Sequence, residues 1–372
     1  MRAERKFALI SSLMTALLVA YTLVRAEVYG VFHVKDIDLV IFEESLKTTL
    51  SGEGFFFNHW EWNHWRAWSH FGTHNSPILF LLLPVYALFP SEYTLMILQD
   101  LMVPLSAFAL FSFARKVLGD EEKALAVSIA FLLNPLTHAI VRYDFRPDVL
   151  AVPFMFLFAS YAAEGKTKKQ LLAALLILSV KEDAGLFLVA YSIFEVLSKH
   201  GFNVKGWLGE KKVIGFALLG LVWIAVSIFL VIPNFNESHE YFYFMLYQPG
   251  GDRGIILLVA LAKLTVLMLS LAFLPLKKPA YWLPLAFLWS ENAFAKRLEQ
   301  AAIGFQYDYQ LLPMAFIVLV YALRENDTPR TTHLLVASLL SMLLFSPSFG
   351  LIDAYPLTIG HSLWEYLRLL HH

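Results

Sequence analysis

Long apolar runs alternate with short polar islands along this chain, and the length of those runs decides the fold class. A hydrocarbon core about 30 Å thick asks for roughly 20 apolar residues per helix. Runs of this kind lie at about 7–28, 93–114, 124–141, 149–163, 170–180, 184–198, 213–232, 255–276, 280–291, 309–323 and 332–347. They predict an all-α polytopic membrane protein with about eleven transmembrane helices. The apolar run from Phe7 to Val24 is long for a signal-peptide core and no small-residue cleavage site follows it, so it reads as an uncleaved first span.

Lys and Arg between the runs set the orientation, because basic loops stay on the cytoplasmic side. With Arg2, Arg5 and Lys6 inside, strict alternation puts Arg115-Lys116, Lys166 to Lys169, Lys199 to Lys212, Lys277-Lys278 and Arg324 with Arg330 inside as well. This predicts a multi-pass protein of the cell membrane with a cytoplasmic N-terminus. The rule holds only if residues 77–90 (PILFLLLPVYALFP) do not cross. That segment is about two-thirds of a span and reads as a juxtamembrane helix. The chain is then one transmembrane domain, 1–372. Residues 29–92 form its first external loop, with juxtamembrane helices, and 331–372 its last span and a short tail.

Composition agrees. Hydrophobic residues make up 58% of the 372, charged residues 16%, and the mean hydropathy is +0.59, too apolar for an exterior facing water. A net charge of −1 leaves no basic footprint for nucleic acid. The absence of cysteine removes disulfides, thiolate metal sites and cysteine nucleophiles.

The chemistry sits in the polar islands of the external side. In K-D-I-D-L-V-I-F-E-E-S-L, Ile37, Val40, Ile41 and Leu46 recur at helical spacing and predict a short helix lying on the bilayer. Asp38 is either that helix's cap or a carboxylate held at the water–lipid boundary as a general base or metal ligand. In W-E-W-N-H-W-R-A-W-S-H-F-G-T-H, His70 and His74 are four apart, which puts two imidazoles on one helix face. His59 and His64 read as interfacial residues among tryptophans. R-Y-D-F-R-P-D (Arg142 to Asp148) holds two carboxylates and two guanidiniums, which either pair with one another or offer Arg forks to phosphate. S-V-K-E-D-A-G-L (Ser179 to Leu186) places Lys181, Glu182 and Asp183 between two short helical runs, and Q-Y-D-Y-Q brings Tyr307, Asp308 and Tyr309. Lys263, inside a predicted span, is expected to snorkel or to meet a lipid phosphate.

D-L-V-I-F-E-E-S-L at Asp38, H-N-S-P-I-L at His74, Y-D-F-R-P-D-V-L-A-V-P-F at Tyr143 and V-K-E-D-A-G-L at Val180 together resemble the archaeal and bacterial membrane proteins grouped as DUF2079. That group is in turn distantly similar to GT-C-type glycosyltransferases such as protein O-mannosyltransferases. The resemblance implies a GT-C-like bundle with juxtamembrane helices in the first external loop. It also implies an enzyme that moves a sugar from a polyprenyl-phosphate donor to an acceptor outside the cytoplasm. Residue by residue, it carries over an acidic group after the first span to Asp38, a Pro-containing segment to His74–Pro77, a second acidic position to Asp144 with Asp148, and a Lys at an outer turn to Lys181. The chain departs from the pattern at Arg146, where D-F-H-P is expected, at Asp308, where Tyr-His-Tyr is expected, and at Glu43, where Asp is usual.

These expectations give an inverting glycosyl transfer. Asp38 deprotonates an acceptor hydroxyl, with Glu43 and Asp144 as further catalytic candidates. Arg142, Arg146 or Lys181 stabilises the departing phosphate. His74, Asp148, Glu182, Asp183, Tyr307 and Tyr309 contact substrate, and Asp36, Asp38, His70 and His74 are the set available to a divalent cation such as Mg or Mn. The competing readings are a transporter, a lipid-handling protein or a catalytically silent relative.

Overall fold

A computed structural model of the chain describes residues 3–29, 37–142, 144–248, 250, 252–325 and 331–369. The described residues are helical, with no β-strand among them. In chain order the helices are α1 (Ala3–Tyr29), α2 (Ile37–Ser51), α3 (His59–Trp65), α4 (Leu79–Leu88), α5 (Glu92–Leu118), α6 (Glu121–Leu132), α7 (Pro135–Arg142), α8 (Ala151–Ala163), α9 (Thr167–Leu178), α10 (Gly185–His200), α11 (Val204–Gly209), α12 (Lys211–Val226), α13 (Arg253–Ser270), α14 (Pro279–Phe294), α15 (Leu298–Ala301), α16 (Leu311–Arg324), α17 (Thr331–Phe345) and α18 (Leu363–Leu369).

Each of the eleven expected apolar runs is helical over most of its length, but not all have the reach of a span. Among the described residues, four helical stretches are long and apolar enough to cross a membrane: Glu4–Glu27, Glu92–Leu118, Lys211–Phe235 and Arg253–Ser270. A fifth exists if the bent pair α6–α7 is one span. The bend has a local cause. Pro135 has no N–H to continue the α6 ladder, and the side chain of Asn134 instead accepts from Leu136 N (2.9 Å) and donates to Ser270 Oγ (2.7 Å), turning the axis by 48°. At ten residues α4 is roughly 15 Å long, half a hydrocarbon core.

The helix ends follow their capping residues. Ser91 accepts from Tyr93 N to start α5, and Gly119, at φ 66°, ends it after Arg115 and Lys116. α16 forms the centre, with every residue from Leu311 to Val320 buried. Gly185 and Gly220 let α10 and α12 touch backbone to backbone. A Cβ on Gly185 would lie 2.3 Å from the Gly220 carbonyl oxygen, which accounts for a glycine at that turn.

Charge sorts the bundle into two ends. At one, α1 meets α5 and α6 through Arg115–Glu4 (3.0 Å) and Lys6–Glu122 (3.3 Å), α10 meets the start of α12 through Lys199–Glu210 (3.2 Å), and Lys278, the residue before α14, reaches Glu325 (2.5 Å) beyond α16. The other end holds α2, the loop before α8, the α9–α10 turn and the segments 241–247 and 297–309. One expectation changes there. α2 does not lie on a surface: Leu39, Ile41, Phe42, Glu43, Ser45, Leu46 and Thr48 are buried, because α4 and α5 pack against it.

Candidate functional site

The loop after α7 is built around Gln99 of α5. Gln99 Nε2 donates to the carbonyls of Val141 and Asp144 (both 3.0 Å), and Gln99 Oε1 accepts from Arg146 N (2.7 Å). So held, the Asp144 carboxylate accepts from Leu39 N (2.6 Å) and Phe145 N (2.8 Å). Asp144 thereby satisfies an orphan amide at the start of α2, the task expected of Asp38. The Asp38 side chain, in the first turn, pairs instead with Arg146 Nη2 at 2.6 Å. Asp144 and Arg146 of this loop therefore both reach α2.

The α9–α10 turn adds a second cluster. Lys181 Nζ contacts Asp183 Oδ2 (3.1 Å), and the Tyr309 hydroxyl donates to Asp183 Oδ1 (2.6 Å). Glu182 accepts from Asn75 N (3.2 Å) and the Tyr241 hydroxyl (3.0 Å), and its Oε1 lies 2.8 Å from His74 Nδ1. Burial alone would raise the Glu182 carboxyl, but His74 and Lys181 beside it outweigh burial and hold it at about 2. It is therefore an acceptor, so His74 donates from Nδ1 and keeps Nε2 for the cavity it lines. The imidazole stacks on Tyr243 at 4.7 Å. Asp148 is buried behind this cluster and its carboxyl is raised, burial outweighing the pull of Lys181. Lys181 itself stays charged well above its ordinary value: burial works against the ammonium, but Asp183, Asp148 and Glu182 prevail.

The two clusters meet. An inner cavity of about 70 Å³ is lined by His74, Arg146, Lys181, Glu182, Asp183, the tyrosines 241, 243, 247, 307 and 309, and Glu291, Asn292, Arg297, Gln300 and Gln306. A wider vestibule of about 340 Å³ carries Asp38, Trp60 and Glu299. Arg146, Arg297, Gln306 and Tyr307 belong to both. The opening thus gathers cations, carboxylates and aromatic faces, a set able to bind a polar, charged ligand.

Among the sequence-predicted residues, Asp38, His74, Arg146, Lys181, Glu182, Asp183, Tyr307 and Tyr309 line this paired cavity, and Asp148 stands behind it. Others do not line it. Glu43 is buried between α2 and α4, accepting from the Tyr86 hydroxyl (2.7 Å) and pairing with Lys47 (2.7 Å). Arg142 donates to the Gly304 carbonyl (3.1 Å) and packs on Gly360, where a Cβ would lie 1.6 Å from its Nη2. His70 opens a single 3-10 turn rather than an α-helix; His74 N still donates to its carbonyl (2.9 Å) and the two imidazoles lie 5.8 Å apart, but His70 Nδ1 faces Glu61 (3.0 Å) and His70 does not line the cavity. Asp36 lies outside the described residues. Among the described residues no three His, Asp or Glu side chains gather as a metal-ion set.

Lys263 corrects another expectation. It neither snorkels nor faces lipid: its buried ammonium bonds Asp308 Oδ1 (2.9 Å) and the Gln300 carbonyl (2.7 Å). Asn292 also donates to Asp308 Oδ1 (3.2 Å) and to the Tyr307 carbonyl (3.1 Å). This network fixes the cavity wall from below.

Sequence reasoning missed Tyr241, Tyr243, Tyr247, Glu291, Asn292, Arg297 and Gln300, and took in Gln306 only as the first residue of Q-Y-D-Y-Q. The dense aromatic stretch Y-F-Y-F-M-L-Y at 241–247 was the available signal for the tyrosines. Compared with known sequences, residues 30–358 match the model of a family described as a predicted membrane protein, DUF2079, in agreement with the four motifs. No curated protein matches the chain.

Proposed function

The chain belongs to that family, whose description stops at the membrane, and from this premise we propose that it is a membrane glycosyltransferase taking a sugar from a polyprenyl-phosphate donor to a hydroxyl acceptor. In this reading the eleven apolar runs form a GT-C-like bundle in the cell membrane, the N-terminus is cytoplasmic, and the cavity opens on the other side. The observation that carries it is the junction of vestibule and inner cavity: Asp38 stands on one side, Lys181 on the other, and Arg146 lines both.

Asp38 is the base for the acceptor hydroxyl in the vestibule. Arg146 and Lys181 are fixed cations for the charge that grows on the departing phosphate, and such preorganised charge lowers the barrier where water is excluded. The stacked His74–Tyr243 pair and Tyr309 offer flat faces and hydrogen bonds to a sugar. The lining comes from loops and helix ends, which favours chemistry at the membrane rim over a transporter's midplane site.

The test is a screen of labelled polyprenyl-phosphate sugars with purified protein, run beside Asp38→Asn. We expect transfer by the parent protein and a loss of about 10²–10⁴-fold in the variant, the usual worth of one positioned base. Undiminished transfer by Asp38→Asn excludes Asp38 as base. Solute or lipid flux in proteoliposomes without sugar transfer would favour the transporter reading instead.

A further inference from the structure

The ion pairs around the cavity leave one guanidinium with no carboxylate in ion-pair contact. Arg146 is matched by Asp38 and Lys181 by Asp183. Glu182 contacts His74, and Glu291, the remaining inner carboxyl, hydrogen-bonds Asp183. Arg297 is half-buried at the neck, lines both chambers and has no ion pair among the described residues, not even with Glu299, which is exposed in the vestibule. Its backbone is anchored, since Lys296 N donates to the Leu246 carbonyl (2.8 Å). Arg146, on the same neck, keeps its Nε–H buried and without an acceptor.

A half-buried guanidinium without a carboxylate, beside a second guanidinium with a buried donor to spare, is costly unless an anion arrives. The planar fork of Arg fits the oxygens of phosphate. We propose that Arg297, helped by the Nε–H of Arg146, is the docking residue for the phosphate of a lipid-phosphate ligand at the neck between vestibule and inner cavity. The phosphate assignment follows from the charge pattern; the lipid attached to it rests on the transferase reading above.

The probe is farnesyl phosphate, titrated against the full-length protein in lipid nanodiscs beside farnesol. Farnesyl phosphate should bind about 10- to 100-fold more tightly than farnesol, the range of one or two charge-assisted hydrogen bonds. Arg297→Gln should erase most of that preference while leaving farnesol affinity unchanged, which also reports a folded protein. Arg297→Lys, which keeps the charge but loses the fork, should retain part of it. Equal binding of the two probes by the parent protein, or a full preference surviving in Arg297→Gln, would overturn the proposal. Inorganic phosphate binding as tightly as farnesyl phosphate would overturn the lipid part. Binding as predicted with no sugar transfer from any donor would sink the transferase reading and leave the docking residue in place.

Discussion

The two ends of the bundle use the same kinds of ion pair in opposite ways. At the end holding the basic clusters, Lys6 and Glu122 remain 40% and 68% exposed, and Arg115 and Glu4 42% and 62%. Such pairs gain little, because water screens them and ordering two long side chains costs entropy. At the cavity end Arg146 and Asp38 are 18% and 16% exposed, and Glu182 and His74 only 1% and 9%. Desolvating charge there is expensive, and an uncompensated donor or carboxyl makes it more so. A fold has no structural need to gather three cations, five carboxyls and five tyrosines around one opening. The contrast teaches that charge count does not locate a site, whereas buried charge converging from separate loops does.

The strongest way to break the comparison is to remove one partner of the buried Lys263–Asp308 pair. Lys263→Met should cost about 3–5 kcal/mol, because it strands a buried carboxylate, and the double variant Lys263→Met/Asp308→Asn should recover much of that loss. Thermal unfolding in nanodiscs measures both. A stable single variant would mean that the pair does not brace the cavity wall.

A smaller effect concerns pH. The Glu182 carboxyl is held at about 2 against an ordinary 4.5. A depressed carboxyl stabilises the fold above its unfolded value, and that contribution is lost as pH falls through the folded value. The parent protein should therefore outlast Glu182→Gln at pH 6, with the gap closing between about pH 4.5 and pH 2. A gap that does not change with pH would show that Glu182 acts by shape alone.

The smallest effect is at the opposite end. Lys199 bonds Glu195 (2.8 Å) and Glu210 (3.2 Å) while its side chain stays 45% exposed. Lys199→Ala should shift stability by no more than about 0.5 kcal/mol, within the range of an exposed helix pair. A loss comparable to that of Lys263→Met would erase the distinction between the two ends.

Much of this was legible in the chain, for identifiable reasons. Apolar runs mark helices because lipid-facing and core-facing surfaces are both apolar, so all eleven runs are helical. Their effective lengths were hidden, since breaks such as Asn134-Pro135 depend on a distant partner, Ser270. Asp38, His74, Arg146 and Lys181 stood out as polar islands. Asp144, Glu43 and Arg142 looked identical in kind, and only their partners, Leu39 N, Tyr86 and Gly304, separate bracing from lining. Glu291 sits in the last turn of an apolar helix, where nothing local distinguishes it from an interfacial acid. Lys263 could not be paired with Asp308 across 45 residues without the fold.

On the proposed function, the buried charges of the cavity end form a transferase site and the exposed charges of the other end do not. The most direct test is the rate of sugar transfer from a polyprenyl-phosphate donor by the parent protein, Asp38→Asn and Lys199→Ala in the same membranes. The account predicts transfer by the parent and by Lys199→Ala at similar rates, with Asp38→Asn lower by about 10²-fold or more. Equal rates in all three, or no transfer by the parent from any such donor, would contradict it.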